Sequence, residues 1–217
     1  MSNLRKYWPD LGMLVGIVTL IGVWINRHQL SEITLLLWLS FIAILIHQFE
    51  EYRWPGTFPG LFNRVIFNSS EPDRYPLNAQ SAMIINLVIA YVFYLLPVFF
   101  PTVIWLALGP ILMGFFQFIW HGIFANLRAK TLYNPGLFAV IALHLPIGGW
   151  YMHDIVTQHL ATSSDWIIGI IYFVIAVYIL IIKGNTWLKN SCSPYPFTNK
   201  QMGSYLTKTR TNARIDT

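Results

Sequence analysis

The chain is organised as long apolar stretches separated by short breaks rich in polar residues, proline and glycine. Six of these stretches approach the ~20 apolar residues that cross the hydrocarbon core of a bilayer. They cover approximately residues 9–26, 31–47, 78–100, 102–125, 136–152 and 166–182. The pattern therefore predicts an all-α membrane bundle of about six transmembrane helices over residues 1–183, followed by a tail over residues 184–217.

Two of the breaks carry a structural prediction of their own. Residues 53–76 are too long and too aromatic for a simple connector, and they begin with Arg53-Trp54-Pro55-Gly56. We expect this segment to include a re-entrant or interfacial piece that covers a cavity. Asn134-Pro135-Gly136 predicts the turn before the fifth helix, because proline is tolerated in a first helical turn.

Composition and charge agree with a membrane protein. Of the 217 residues, 55% are hydrophobic and 11% are charged, whereas a soluble domain carries about 25% charged residues. With six spans, all Lys and Arg except Arg27 fall on one side, which by the positive-inside rule is the cytoplasm. We therefore expect a multi-pass protein of the cell membrane with both termini and a basic tail in the cytoplasm, and no nucleic-acid partner. A single cysteine, Cys192, excludes an intrachain disulfide.

The most informative polar residues stand at the end of the second apolar stretch, in His47-Gln48-Phe49-Glu50-Glu51. Residues at positions i, i+3 and i+4 share one face of a helix, so His47, Glu50 and Glu51 can point into the same cavity. Ionisable groups are costly to bury in a membrane, and these three need a partner such as a metal ion, a proton or a basic group.

Other apolar stretches bring polar side chains to a similar depth. His47, His121 and His144 each lie about 9–12 Å inside the cytoplasmic end of their helix, at 1.5 Å of rise per residue. Asn86 falls at a similar level on the third stretch, and Gln117 lies one turn from His121. We therefore expect three helices to bring their histidines close together beside the glutamates.

Imidazoles and carboxylates that converge in this way suit a divalent metal ion. The spacing resembles the inverted zincin motif H-x-x-E-H, with Glu51 in the place of the second histidine. By that analogy His47 and Glu51 are predicted ligands and Glu50 a general base, while His121 and His144 complete the shell. We expect one ion, with zinc preferred and iron or manganese as alternatives.

The basic loop beside the predicted site suggests how a substrate could be held. Arg128 and Lys130 could bind the polar head of a lipid, with Tyr133 beside them; the alternative is that both cations only reflect membrane topology. Together with Asn86 and Gln117 they form the predicted substrate-binding set. The leading hypothesis is a metal-dependent membrane enzyme that hydrolyses, or transfers a group on, a lipid or another lipid-soluble substrate.

Two other functions use the same residues. A histidine and carboxylates in a dry pocket can move protons without a metal, which would suit an isomerase or cyclase of an apolar lipid. A small transporter or metal carrier is the third hypothesis. It predicts a polar path through the bundle, and the nearly pure apolar segments 91–100 and 166–175 argue against such a path.

The chain also resembles a known family. His47-Gln48-Phe49-Glu50-Glu51-Tyr52, then His121-Gly122, then Tyr133-Asn134-Pro135-Gly136 and His144 are similar to the HXXEE family of small integral membrane proteins of unassigned function. The resemblance covers roughly residues 30–185. It implies a shared fold and a shared polar site, and it brings no activity with it.

Overall fold

The structure is a computed structural model that describes residues 2–209, and within that range it contains helices and no strands. Residues 210–217 of the predicted tail lie outside the described residues. The helices are α1 Ser2–Asn26, α2 Glu32–Tyr52, α3 58–66, α4 Ala79–Phe99, α5 Ile104–Ala129, α6 137–157, α7 Ser163–Leu188 and α8 Asn199–Met202.

Five helices of the described range are long and apolar enough to cross a membrane, namely α1, α2, α4, α5 and α7. The prediction of a helical membrane protein is therefore confirmed at this level. The predicted span at 136–152 lies in α6, which is equally helical but is not one of the five. His144, the pair Gly148-Gly149 and His153-Asp154 make α6 less apolar than its neighbours. The count of six spans and the cytoplasmic position of the termini stay predictions.

Side-chain caps fix where several of these helices begin. At the start of α4, the Asn78 side chain accepts a hydrogen bond from the backbone N–H of Ser81, and the Ser81 hydroxyl accepts one from the Asn78 N–H in return. Thr162 and Asp165 form the same reciprocal pair at the start of α7. Such capping boxes satisfy backbone donors that a helix start leaves without intrahelical partners.

The helices run up and down between two apolar clusters. One cluster joins Trp8 near the start of α1, Tyr52 at the end of α2 and Ala125 near the end of α5. The other joins Ile33 at the start of α2 to Ile155 near the end of α6. Since α6 starts beside the first cluster and ends in the second, it crosses the bundle like its neighbours.

The first cluster also takes in the segments that sequence alone left outside the bundle. Phe58 and Phe62 of α3 are buried in it, so the predicted covering segment contains a short helix. Met202 of the tail is fully buried in the same cluster, and Gln201 donates a hydrogen bond to the Tyr52 carbonyl. The described part of the tail therefore packs on the protein through Phe197 and Met202.

Two helices widen where they carry histidines. His121 lies in a π-helical stretch of α5, Phe118–Ala125, and His144 ends another in α6, Val140–His144. Pro146 has no N–H to donate, and the Leu145 N–H reaches back five residues to the Val140 carbonyl. Such wide turns occur frequently at functional sites, because they shift side chains off the regular helical positions.

Candidate metal centre

Three buried side chains from two helices converge beside the first cluster. His47 and Glu51 stand one turn apart on α2, and His121 faces them from α5. The distance from Glu51 Oε1 is 3.6 Å to His47 Nε2 and 3.4 Å to His121 Nε2. One ligand atom from each residue lies within 4.8 Å of the other two, and each side chain is at most 7% exposed. The three residues are thus positioned where they could bind a metal ion.

The loop before α6 fixes the orientation of His121. The Asn134 amide nitrogen donates to the His121 carbonyl at 2.8 Å and to Asn126 Oδ1 at 2.7 Å. Its oxygen is therefore the atom that lies 2.6 Å from His121 Nδ1, so Nδ1 carries the hydrogen. In the neutral ring, the Nε2 of His121 then keeps a lone pair that faces Glu51. A histidine held in this way through its other nitrogen is the usual arrangement of a metal ligand.

The three side chains leave several buried polar atoms without hydrogen-bond partners in the part of the chain that the structure describes. Neither nitrogen of His47 has a hydrogen-bond partner among the described residues, and the same holds for His121 Nε2. The Glu51 carboxylate beside them is itself an acceptor. Buried polar atoms without partners cost about 1–3 kcal/mol each, and a cation or a shared proton at the centre of the group would satisfy them together.

Gly136 allows the loop backbone to lie directly against both imidazoles. Its φ of +104° is a conformation that favours glycine. A Cβ at this position would come within 2.5 Å of His121 Cε1 and 2.9 Å of His47 Cε1. Any other residue here would push on both rings, so this close approach requires glycine.

His144 lies next to the three residues without joining them. Its ring packs edge-on against that of His47, with the centroids 5.6 Å apart, and its Nε2 is buried without a hydrogen-bond partner within the described range. Gly114 of α5 makes room for it, because a Cβ there would lie 3.1 Å from His144 Nδ1. The structure brings this predicted ligand to the site but outside the set of three.

Glu50 points to a different part of the molecule. Its Oε1 accepts hydrogen bonds from the Tyr133 hydroxyl at 2.8 Å and the Phe138 N–H at 3.1 Å, and its Oε2 accepts the Ala139 N–H at 2.8 Å. Burial and the Glu50 carboxylate raise the pKa of Tyr133, so the phenol stays protonated and donates. The predicted general base thus holds the start of α6, where backbone N–H groups and the helix dipole favour an anion.

A cavity of about 300 Å³ opens beside Glu51. Asn86 and Gln117, both predicted to bind substrate, line it together with Tyr52, whose hydroxyl accepts a hydrogen bond from Asn86 Nδ2 at 3.3 Å. The other predicted substrate residues lie elsewhere. Arg128 and Lys130 are exposed and do not line this cavity, and Tyr133 contacts Glu50.

Asn134 and Gly136 belong to the site, although sequence reasoning assigned them only to a turn. Asn-Pro-Gly is an ordinary turn signal, so the residue types alone did not indicate contact with the histidines. Their place directly before the helix that carries His144 was the signal available, since it puts the loop at the end of the bundle nearest the histidines.

A family model described as "Protein of unknown function with HXXEE motif" matches residues 38–151, which is more than half of the chain. The chain therefore belongs to this family, as the resemblance implied. The matched range contains every residue of the metal centre described above. The comparison with curated proteins finds no match, and neither does the comparison with solved structures.

Proposed function

We propose that this protein is an integral membrane enzyme that holds one divalent metal ion on His47, Glu51 and His121. It acts on a lipid or another lipid-soluble substrate by hydrolysis or group transfer. The observation that carries the proposal is the buried pair of imidazole nitrogens without hydrogen-bond partners among the described residues, 3.4 and 3.6 Å from one carboxylate oxygen. We place it in the cell membrane with both termini cytoplasmic, on the strength of the charge bias.

The donor set favours zinc. Two histidines and one glutamate form the ligand set of several catalytic zinc enzymes, which keep a fourth position open for water or substrate. Two histidines and one carboxylate also bind iron(II) in oxygenases, and manganese accepts the same donors, so both stay alternatives. A divalent ion at this place supplies Lewis acidity to a substrate oxygen or lowers the pKa of a water molecule.

The surrounding residues have distinct roles in this proposal. Asn134 keeps the His121 lone pair directed at the ion, and Glu50 holds α6 so that Gly136 stays against the rings. His144, which packs on His47 with an unpartnered Nε2, is the proposed proton acceptor. Its buried position beside the ligands also suits it as a fourth ligand, the role predicted from the sequence.

A metal-free acid/base enzyme is the second candidate, and it is favoured by the distance of 3.4 Å between Glu51 Oε1 and His121 Nε2. A proton shared between Glu51 and an imidazole would give both the carboxylate oxygen and the imidazole nitrogen a hydrogen-bond partner. A carrier function receives less support, because a carrier needs a polar path through the bundle. The part of α2 that precedes His47 instead contributes Phe41 and Ile44 to an apolar cluster with Met113.

Elemental analysis of the protein purified without chelators tests the proposal. We expect about one equivalent of zinc, iron or manganese per chain, since all three ligands are in place in the fold. His121→Ala should lose the metal. His28→Ala removes an exposed histidine just after the end of α1 and should keep the metal. Less than about a tenth of an equivalent in the unaltered protein would overturn the metal proposal and favour proton chemistry.

A further inference from the structure

Helices α5 and α7 pack closely over their first halves. A Cβ on Gly109 of α5 would lie 2.6 Å from the Tyr172 ring, and a Cβ on Gly169 of α7 would lie 2.7 Å from Leu108. Small residues at a membrane helix interface let the backbones approach in this way. The two helices are therefore in direct contact at this end of the α5–α7 interface.

The second halves of the same two helices leave the 300 Å³ cavity between them. Both halves contain π-helical stretches, Phe118–Ala125 in α5 and Val177–Lys183 in α7. Trp120 and Ile181 stand on opposite walls, and Ile182, which is half exposed, lies at the rim. Since α7 presents apolar side chains outward along its length, this rim faces hydrocarbon in a membrane.

A second cavity of about 510 Å³ continues the first toward the surface. The two share Phe62, Trp120, Ile181, Ile182 and Asn185 as lining residues. Together they form a lateral passage that leads from Glu51 to the outside between α5 and α7. Its far end includes Lys189.

The inner cavity is apolar and contains no cation. Its polar lining consists of Glu51, the Tyr52 hydroxyl and three amides, Asn86, Gln117 and Asn185. An ionised head group beyond the reach of the proposed metal ion would be buried here beside a carboxylate and without a basic partner, which is strongly unfavourable. An uncharged polar group suits this lining.

Asn185 indicates which kind of uncharged group the cavity fits. Its amide nitrogen donates to the Ile181 carbonyl at 2.7 Å, while its Oδ1 is buried without a hydrogen-bond partner within the described residues. The amide side chains that line the cavity offer both donors and acceptors, and a hydroxyl or an amide group on a ligand can meet both.

We infer that the passage takes a neutral single-chain lipid that bears a hydroxyl or amide group, and that this lipid enters sideways from the bilayer between α5 and α7. The inference names the substrate class of the proposed metal site and rests on that proposal. The small inner volume favours one hydrocarbon chain, since about 300 Å³ is the lower end of ligand pockets.

Photoaffinity labelling of the full-length protein in nanodiscs tests this inference. Three probes carry the same diazirine-labelled chain and end in an alcohol, a carboxylate or a phosphate. In protein stripped of metal with a chelator, we expect the alcohol to label residues 116–120 and 177–185 at least about fivefold more than either anion, because the lining then offers an anion no counter-charge. Equal or stronger labelling of this wall by an anionic probe, through Lys189 or otherwise, would overturn the inference.

Two substitutions on α7 provide a matched pair. Val177→Trp fills the cavity and should lower labelling by the alcohol about tenfold, whereas Ile179→Trp adds the same side chain at an exposed position that does not line the cavity. Undiminished labelling in folded Val177→Trp would contradict the passage. If that variant does not fold, competition by unlabelled long-chain alcohol on the unaltered protein decides, and absent competition is the negative result.

The metal ligands allow the two proposals to fail separately. In His121→Ala the alcohol should still label the wall, since His121 does not line the cavity. Selective labelling of the unaltered protein, together with a metal content near zero in that protein, would remove the metal proposal alone. A protein with about one equivalent of metal but without selective labelling would remove the lipid inference alone.

Discussion

Glu50 and Glu51 are neighbours on α2, yet their carboxylates lie in regions of opposite character. Three donors surround Glu50, namely one hydroxyl and two backbone N–H groups at the start of α6. Glu51 faces imidazole nitrogens, of which the nearest on His121 carries a lone pair. A carboxylate among donors is satisfied as it stands, whereas a buried carboxylate beside unpartnered imidazole nitrogens calls for a cation or a proton.

Helix geometry explains how adjacent residues reach such different surroundings. Consecutive side chains on an α-helix diverge by about 100°, so Glu51 shares its face with His47 while Glu50 turns toward α6. The loop before α6 then joins the two regions. Tyr133 donates to Glu50, and Asn134, the next residue, holds His121. One glutamate therefore positions the loop, and the other lies in the candidate metal centre.

The largest expected effect separates the two glutamates directly. Glu51→Gln removes a charged ligand, and we expect metal affinity to fall by more than roughly 100-fold, since loss of an outer partner alone costs 10- to 100-fold. Glu50→Gln should keep the metal and lose about 1–3 kcal/mol of stability, because it loses a charged acceptor of three hydrogen bonds. Competition with a chelating dye measures the first effect, and unfolding in detergent measures the second.

The opposite outcome would exchange the roles. Loss of metal in Glu50→Gln, with metal retained in Glu51→Gln, would assign the ligand to Glu50. Turnover decides whether Glu50 is also a base, as predicted from the sequence. Removal of a general base costs about 10²- to 10⁴-fold in rate, and a role in positioning α6 predicts a smaller loss.

A smaller effect is expected at Asn134. Asn134→Ala removes the acceptor that holds His121 Nδ1, and we expect metal affinity to fall about 10- to 100-fold, as for other outer partners of metal-binding histidines. Asn126→Ala is the control, and we expect it to lower the affinity less than Asn134→Ala does, because it removes only one acceptor of the Asn134 amide. Isothermal titration with zinc measures both. An unchanged affinity in Asn134→Ala would show that His121 needs no such support.

Much of this arrangement was predictable from sequence, for reasons that particular residues make clear. Helical spacing placed His47 with Glu51, and depth along the helices brought His121 and His144 to them. The different direction of Glu50 could not be predicted, because the i+3 position lies near the boundary of the shared face. Two of its three donors are also backbone N–H groups at a helix start, and the identities of the residues do not reveal such contacts. The contacts of Asn134 and Gly136 depend on a loop conformation with positive φ, which a turn signal does not specify.

The smallest effect is expected at Tyr133, which tests the Glu50 region alone. Tyr133→Phe removes one of three donors to Glu50 and should cost about 0.5–1.5 kcal/mol of unfolding free energy, the net worth of a single hydrogen bond. Metal content should stay unchanged, because Asn134 and Gly136 still contact the histidines. Tyr178→Phe, at a half-exposed position on α7 outside the site, is the matched control and should be neutral. A loss of metal in Tyr133→Phe would mean that the two regions depend on each other through the loop, so that Glu50 acts on the metal centre after all.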